Sequence, residues 1–192
     1  MTKPSILLAS ASPRRRELLA QIGVSFKTVV TDIDETPLPN EDPLDFVIRL
    51  AREKAKAGQA HNPDQIPVLG ADTIVVVDNE ILGKPRDRKH AITMLQRLSG
   101  RTHRVLSAVC LDTDKKQRCQ LSESQVHFRP MSEDEIIAYW QTGEPADKAG
   151  AYAIQGKGAI FVKRIEGSYS GVMGLPLFET ANLLQQAGIQ LL

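Results

Sequence analysis

Three observations predict an α/β fold, a mixed twisted sheet flanked by helices. Runs of β-branched and aliphatic residues alternate with segments of helical periodicity, the first strand-to-helix connection is short, and a long apolar strand lies in the middle of the chain. Ser5 to Ala9 reads as a buried strand, after which Ser12-Pro13 supplies a helix N-cap and a proline at the first helical position. Leu18, Leu19 and Ile22 give that helix its apolar face, and Gly23 suits its C′ position. Val24 to Thr31 reads as a second strand. After a proline-rich acidic connection, Asp42-Pro43 starts a helix with apolar Phe46, Val47, Leu50 and Ala51, ending near Gly58. Val68 to Val77 is a mostly β-branched strand, Asp78-Asn79 a turn, and Asp87 to Leu98 a helix. Strands are expected near 103–112 and 119–129, and Ser132 with Glu135 forms a capping-box start for a helix through Tyr139. Strands near 159–165 and 169–173 and a helix through Leu183 complete the chain.

The 192 residues carry 24 Lys+Arg and 23 Asp+Glu, a net charge of +1, and 42% are hydrophobic, which excludes a largely disordered chain. A chain of this length buries roughly 70% of its unfolded surface, so one domain needs no disulfide or metal staple. The longest apolar stretches, such as Ile74 to Val77 and Val105 to Leu111, are far short of the roughly 20 residues of a membrane span. The apolar run Ile6 to Ala9 is too brief for a signal-peptide core, so a cytoplasmic location and no membrane partner are expected. Near-zero net charge argues against a stable nucleic-acid complex. Cys110 and Cys119 form neither a C-x-x-C pair nor a zinc spacing with His61, His90, His103 and His127, so neither a structural disulfide nor a zinc site is expected.

Charge is blocked locally: residues 1–31 hold five Lys/Arg and one Glu, whereas residues 32–45 hold six acids and no base. Arg14 and Arg15 lie in the first turn of their helix, four residues before Leu18 and Leu19, so both are expected to point inward. Cations are disfavoured at a helix N-terminus, and two of them there predict an anion, with phosphate the best match to guanidinium forks and free N–H groups. Ser10 and Ser12 add hydroxyl donors on the same loop, while Arg16 reads as plain surface. Lys54 edges an apolar helix face. Asp72 interrupts an apolar strand, where a carboxylate must be paired or metal-bound, and Gly70 allows close backbone approach. Gly83-Lys84-Pro85-Arg86 presents a lysine on a rigid loop, and Gln155 offers a neutral donor and acceptor suited to a nucleobase edge or to capping a turn. No G-x-x-x-x-G-K-[ST], G-x-G-x-x-G or H-E-x-x-H motif is present, and Gly167 to Gly171 has Tyr169 where a nucleophile elbow needs serine.

Ser10-Ala11-Ser12-Pro13-Arg14-Arg15, Arg52-Glu53-Lys54-Ala55, Gly70-Ala71-Asp72-Thr73, Gly83-Lys84-Pro85, Gly150 to Gly156 and Gly174-Leu175-Pro176 occur in the order seen in Maf proteins. The chain resembles a Maf-family nucleoside triphosphate pyrophosphatase over 1–192. The resemblance implies an elongated Maf/ITPase-like α/β fold with a central cleft between two lobes. It also implies a homodimer that hydrolyses nucleoside triphosphates to monophosphate and pyrophosphate with Mg²⁺ or Mn²⁺. Within it, Asp72 matches the general base, and Arg14, Thr73 and Gln155 match the positions that mark the dTTP/UTP subgroup. Ser10, Arg15, Lys54 and Lys84 match phosphate-contacting positions, and Glu35 matches an acidic residue near the metal. Arg14 is expected at the phosphates as well, and Asp72 is open to two roles, base or, with Glu35, metal ligand. Two other readings stay open: a nucleotide-sensing regulatory protein linked to septum formation, and a pyrophosphatase for modified purine triphosphates.

Overall fold

The computed structural model describes residues 5–113 and 116–191. Its strands are β1 (Ile6–Ala9), β2 (Phe26–Val29), β3 (Val68–Val77), β4 (Glu80–Leu82), β5 (Thr102–Asp112), β6 (Gln117–Phe128) and β7 (Val162–Glu166). They form one sheet in the order β2-β1-β3-β5-β6-β7, with β4 paired to β3. The sheet is mixed: β1 is parallel to both β2 and β3, while β3–β4 and β6–β7 are antiparallel. The helices are α1 (Pro13–Gln21), α2 (Pro43–Gln59), α3 (Arg88–Leu98), α4 (Glu133–Gln141), α5 (Tyr169–Met173) and α6 (Leu177–Gln186). Among the described residues no helix is long and apolar enough to cross a membrane.

The chain divides into two compact units. The first comprises Met1–Asp72, Ser107–Ser122 and Gly174–Leu192. Its sheet core is β1 against β3, in the parallel register Leu7↔Val68 to Ala9↔Gly70. Helix α2 begins as its sequence dictates, with Asp42 accepting from Leu44 N–H at 2.8 Å and proline at the first helical position. It buries Phe46, Val47, Leu50, Ala51 and Ala55. Gly70 meets this helix directly, since a Cβ there would lie 2.9 Å from Ala55 Cα and closer still to the Ala51 carbonyl and the Ala55 amide. The close approach expected of Gly70 is therefore backbone against backbone.

The second unit comprises Thr73–Leu106 and Glu123–Met173. Its core includes Val75, Leu95, Leu98, Val105, Val126, Ile136 and Phe161. Asp78 and Asn79, at φ 53° and 61°, make the turn between β3 and β4, a conformation that Asn and Asp tolerate. Asp87 caps α3 through His90 N–H at 2.8 Å, and Ser132 and Glu135 form the capping box of α4.

Three expectations are corrected. Residues 169–173 form helix α5 rather than a strand, because Ser168 accepts from Gly171 N–H at 3.0 Å through its side chain and from Val172 N–H at 3.0 Å through its carbonyl. The strand expected near 159–165 begins only at Val162, after a 3-10 turn over Lys157–Phe161. Cys110 and Cys119 form a disulfide. Strands β5 and β6 are neighbours in the sheet, and just beyond them Thr113 and Lys116 exchange backbone hydrogen bonds at 3.0 and 3.2 Å. That register brings the two cysteine Cα atoms within 4.0 Å of each other, and cysteine spacing alone does not encode it.

Candidate functional site

In the first unit, β1 and α1 meet at Ser10. The side-chain hydroxyl of Ser10 accepts from Ser12 N–H at 3.1 Å and from Arg15 Nη1 at 3.3 Å. Ser12 occupies the N-cap position of α1 but makes no side-chain cap bond. Arg15 also donates from Nε to the Gly174 carbonyl at 2.8 Å, which ties α1 to the Gly174-Leu175-Pro176 segment. Burial pulls the Arg15 guanidinium below its ordinary value, and the negative charges of Asp72 and Glu35 oppose that pull. Arg14 does not share this placement. Its side chain is 42% exposed and pairs with Glu17 at 2.8 Å, because the helix turns about 100° per residue and sets it on the face of its i+3 neighbour. The inward orientation expected of both arginines holds for Arg15 alone, and Arg16 is exposed as expected.

The Lys54 ammonium, with its side chain only 11% exposed, lies 2.6 Å from Asp72 Oδ1 and 2.7 Å from Glu35 Oε1. The expensive carboxylate of β3 is thus compensated from α2. The contact depends on Gly70, which lets the helix lie against the strand two residues before Asp72. Ser10, Arg15, Glu35, Lys54 and Asp72 therefore form one cluster, in which three of the five predicted phosphate-binding residues meet both predicted metal-site acids.

The pair that holds the acidic segment was not singled out from sequence. Arg49 on α2 binds Glu41 through two hydrogen bonds, Nε to Oε1 at 2.6 Å and Nη2 to Oε2 at 2.8 Å, and also donates to the Thr36 carbonyl at 3.1 Å. One arginine thereby fastens the segment bearing Glu35 onto the helix bearing Lys54. Arg49 draws the Glu41 carboxyl down to about 2, against the opposing effect of burial. The sequence signal was a lone arginine between core residues Phe46 and Leu50, on the same helix as Lys54.

Thr73, Lys84 and Gln155 belong to the second unit. Lys84 is exposed on the loop after β4, and the preceding Gly83 carbonyl accepts from Gly150 N–H at 3.1 Å. Gly150 lies at φ +67°, a conformation strained for a side chain, and a Cβ there would lie a tight 3.0 Å from both Val75 methyl groups. Gln155 is half-buried in a turn closed by Gly156 N–H donating to the Ala153 carbonyl at 3.2 Å. Behind that turn, Glu144 accepts from Tyr139 O–H at 2.6 Å, Lys157 N–H at 2.9 Å and Gly158 N–H at 3.0 Å. Burial alone would raise the Glu144 carboxyl, but these hydrogen bonds outweigh it and hold the group below its ordinary value. Sequence reasoning passed over both Tyr139 and Glu144.

Residues 5–187 match the family described as Maf-like protein. A dTTP/UTP pyrophosphatase of Alkalilimnicola ehrlichii is 56% identical over 189 residues, covering 96% of this chain and 93% of that protein. Proteins of the same description from Escherichia coli O157:H7 and Pseudoalteromonas translucida are 53% and 55% identical, covering 94% of this chain and 91% and 96% of theirs.

Proposed function

This chain belongs to the Maf family, and from that premise we propose that it is a pyrophosphatase hydrolysing dTTP, UTP and modified pyrimidine triphosphates to the monophosphate and pyrophosphate. The observation that carries the reading is Lys54 bridging Asp72 and Glu35 beside Arg15 and Ser10. Basic donors and acids are thereby assembled where β1 ends, at residues that match the family's motifs. Relatives above 50% identity that carry this activity in their names support it.

In this reading Asp72 accepts a proton from a water whose oxygen attacks the α-phosphorus. A bond forms between that oxygen and phosphorus, the bond from the α-phosphorus to the bridging oxygen breaks, and pyrophosphate leaves. General-base assistance of this kind contributes about 10²–10⁴-fold. Arg15, Lys54 and Ser10 hold the phosphate oxygens and offset the charge that develops there, the main source of catalysis at phosphorus. Lys84 and Arg14 are assigned to the phosphates, and Thr73 and Gln155 to the base.

Among the described residues no three His, Cys, Asp or Glu side chains are grouped to hold a metal ion. Two carboxylates, Asp72 and Glu35, converge on one cationic atom, and these two would be the side chains to hold Mg²⁺ or Mn²⁺. When bound, such an ion neutralises phosphate charge and polarises the reacting phosphoryl group. The enzyme is proposed to act on the nucleotide pool as a cytoplasmic homodimer, without nucleic-acid or membrane partners.

Incubation with dTTP, UTP, CTP, GTP and ATP and either metal, with products separated by anion exchange, tests the reading. Monophosphate and pyrophosphate from dTTP and UTP are expected. Diphosphate with orthophosphate, or no turnover, overturns it.

A further inference from the structure

We infer that Glu144 is a positioning residue for base selection, its carboxylate pinning the turn that presents Gln155. This rests on the assignment of Gln155 to the base in the reading above. A glutamine amide carries a donor and an acceptor on nearly equal shapes, so the base edge it selects depends on where its backbone is held. Thymine and uracil offer an acceptor where cytosine offers a donor, and a turn free to shift would let the amide serve either.

Both flanks of Gln155 are fixed by one pair of side chains. On its amino-terminal side, Ala153 N–H donates to the Tyr139 hydroxyl at 3.1 Å. On its carboxyl-terminal side, Lys157 and Gly158 N–H donate to Glu144 at 2.9 and 3.0 Å. Tyr139 O–H in turn donates to Glu144 at 2.6 Å, which closes the brace. The glycines are there to let the backbone reach it. A Cβ at Gly156 would lie 2.7 Å from Glu144 Oε1 and closer still to Oε2, and one at Gly158 would lie 2.6 Å from the Tyr139 hydroxyl. The three hydrogen bonds hold the carboxyl below its ordinary value despite burial, so the acceptor stays charged at neutral pH and its bonds to the turn are the stronger charge-assisted kind.

The test compares wild type, Glu144→Gln, Gln155→Ala and the double variant, with kcat and KM measured for dTTP and dCTP and amide hydrogen exchange followed at Lys157 and Gly158. In Glu144→Gln an amide NH₂ replaces one accepting oxygen and leaves an N–H unpaired, so exchange at those amides speeds up. The preference for dTTP over dCTP falls about tenfold, through KM rather than kcat, and adds nothing once Gln155 is alanine. Equal losses for both nucleotides, unchanged preference with faster exchange, or a further loss in the Gln155→Ala background each overturn the inference. Should Glu144→Gln not fold, Tyr139→Phe removes the other half of the brace and must shift the preference in the same direction. Wild-type protein that hydrolyses no triphosphate fails at an earlier and separate step, and removes the reading together with the inference.

Discussion

Gly70→Ala should loosen the joint between β3 and α2 and carry Lys54 away from Asp72. The added methyl would lie 2.9 Å from Ala55 Cα and closer still to the Ala51 carbonyl oxygen and the Ala55 amide nitrogen. Ordinary contacts of this kind sit near 3.5–4.0 Å, so α2 must retreat by about 1 Å. The obstacle is helix backbone, which no rotamer change relieves. Overpacking typically costs about 1–3 kcal/mol, and the fewer conformations open to unfolded alanine return about 0.4–1 kcal/mol of it. The net expectation is a loss of about 1–2 kcal/mol, or about 2–8 °C in Tm for a chain of this size. The same retreat stretches the Lys54–Asp72 contact from 2.6 Å past hydrogen-bonding distance, so kcat for dTTP should fall at least about tenfold at temperatures where the variant is folded. Calorimetry with steady-state kinetics gives both numbers. A Tm within a degree of wild type together with unchanged kcat would refute the packing argument.

Replacing Lys54 by Met removes the cation bridging Asp72 and Glu35, so Mn²⁺ without nucleotide should bind at least about tenfold more tightly; paramagnetic resonance of free Mn²⁺ measures it, and equal affinity contradicts the bridge. The Cys110–Cys119 disulfide spans a sequence separation of 9, a closure worth about 2.5–3 kcal/mol. Reduction by dithiothreitol should therefore lower Tm by about 5–10 °C, and an unmoved Tm with both thiols titrated contradicts it. His103 is buried and donates to or accepts from Tyr152 O–H at 2.8 Å, and burial lowers it from 6.5 to about 3. A lowered folded value means its contribution is complete above pH 6.5 and is lost as the pH falls from there toward 3. Between pH 7 and 5 the loss is about 2 kcal/mol, so His103→Gln should flatten that part of the denaturation profile, and an unaltered slope sinks the assignment. Arg49→Met should free the segment bearing Glu35, seen as faster amide exchange at Thr36 and Leu38, while protection equal to wild type argues that the arginine holds nothing.

Much of the first unit is legible in the sequence because its signals are local. Asp42-Pro43 starts α2, Gly70 marks a close approach, and an aspartate in a run of apolar β-branched residues demands a partner. The partner itself, Lys54, is 18 residues away, and its choice comes from helix-on-strand packing that no local pattern specifies. The difference between Arg14 and Arg15 was hidden for a related reason: both precede a buried leucine by four residues, and what separates them is the Gly174 carbonyl from the far end of the chain. The Glu41–Arg49 pair and the Tyr139–Glu144 brace join a loop to a helix or to another loop, where there is no period to read. Helix α5 was mistaken for a strand because its five residues are too few to display helical periodicity. The disulfide follows from register across β5 and β6, which the hydrophobic pattern constrains only by face.

In the proposed reaction water attacks the α-phosphorus with Asp72 accepting its proton. Hydrolysis of dTTP in ¹⁸O-labelled water, with mass analysis of both products, tests it most directly. One ¹⁸O atom is expected in the monophosphate and none in pyrophosphate, with turnover in Asp72→Asn down by about 10²-fold or more. Label in pyrophosphate, or an Asp72→Asn variant that turns over at the wild-type rate, would contradict it.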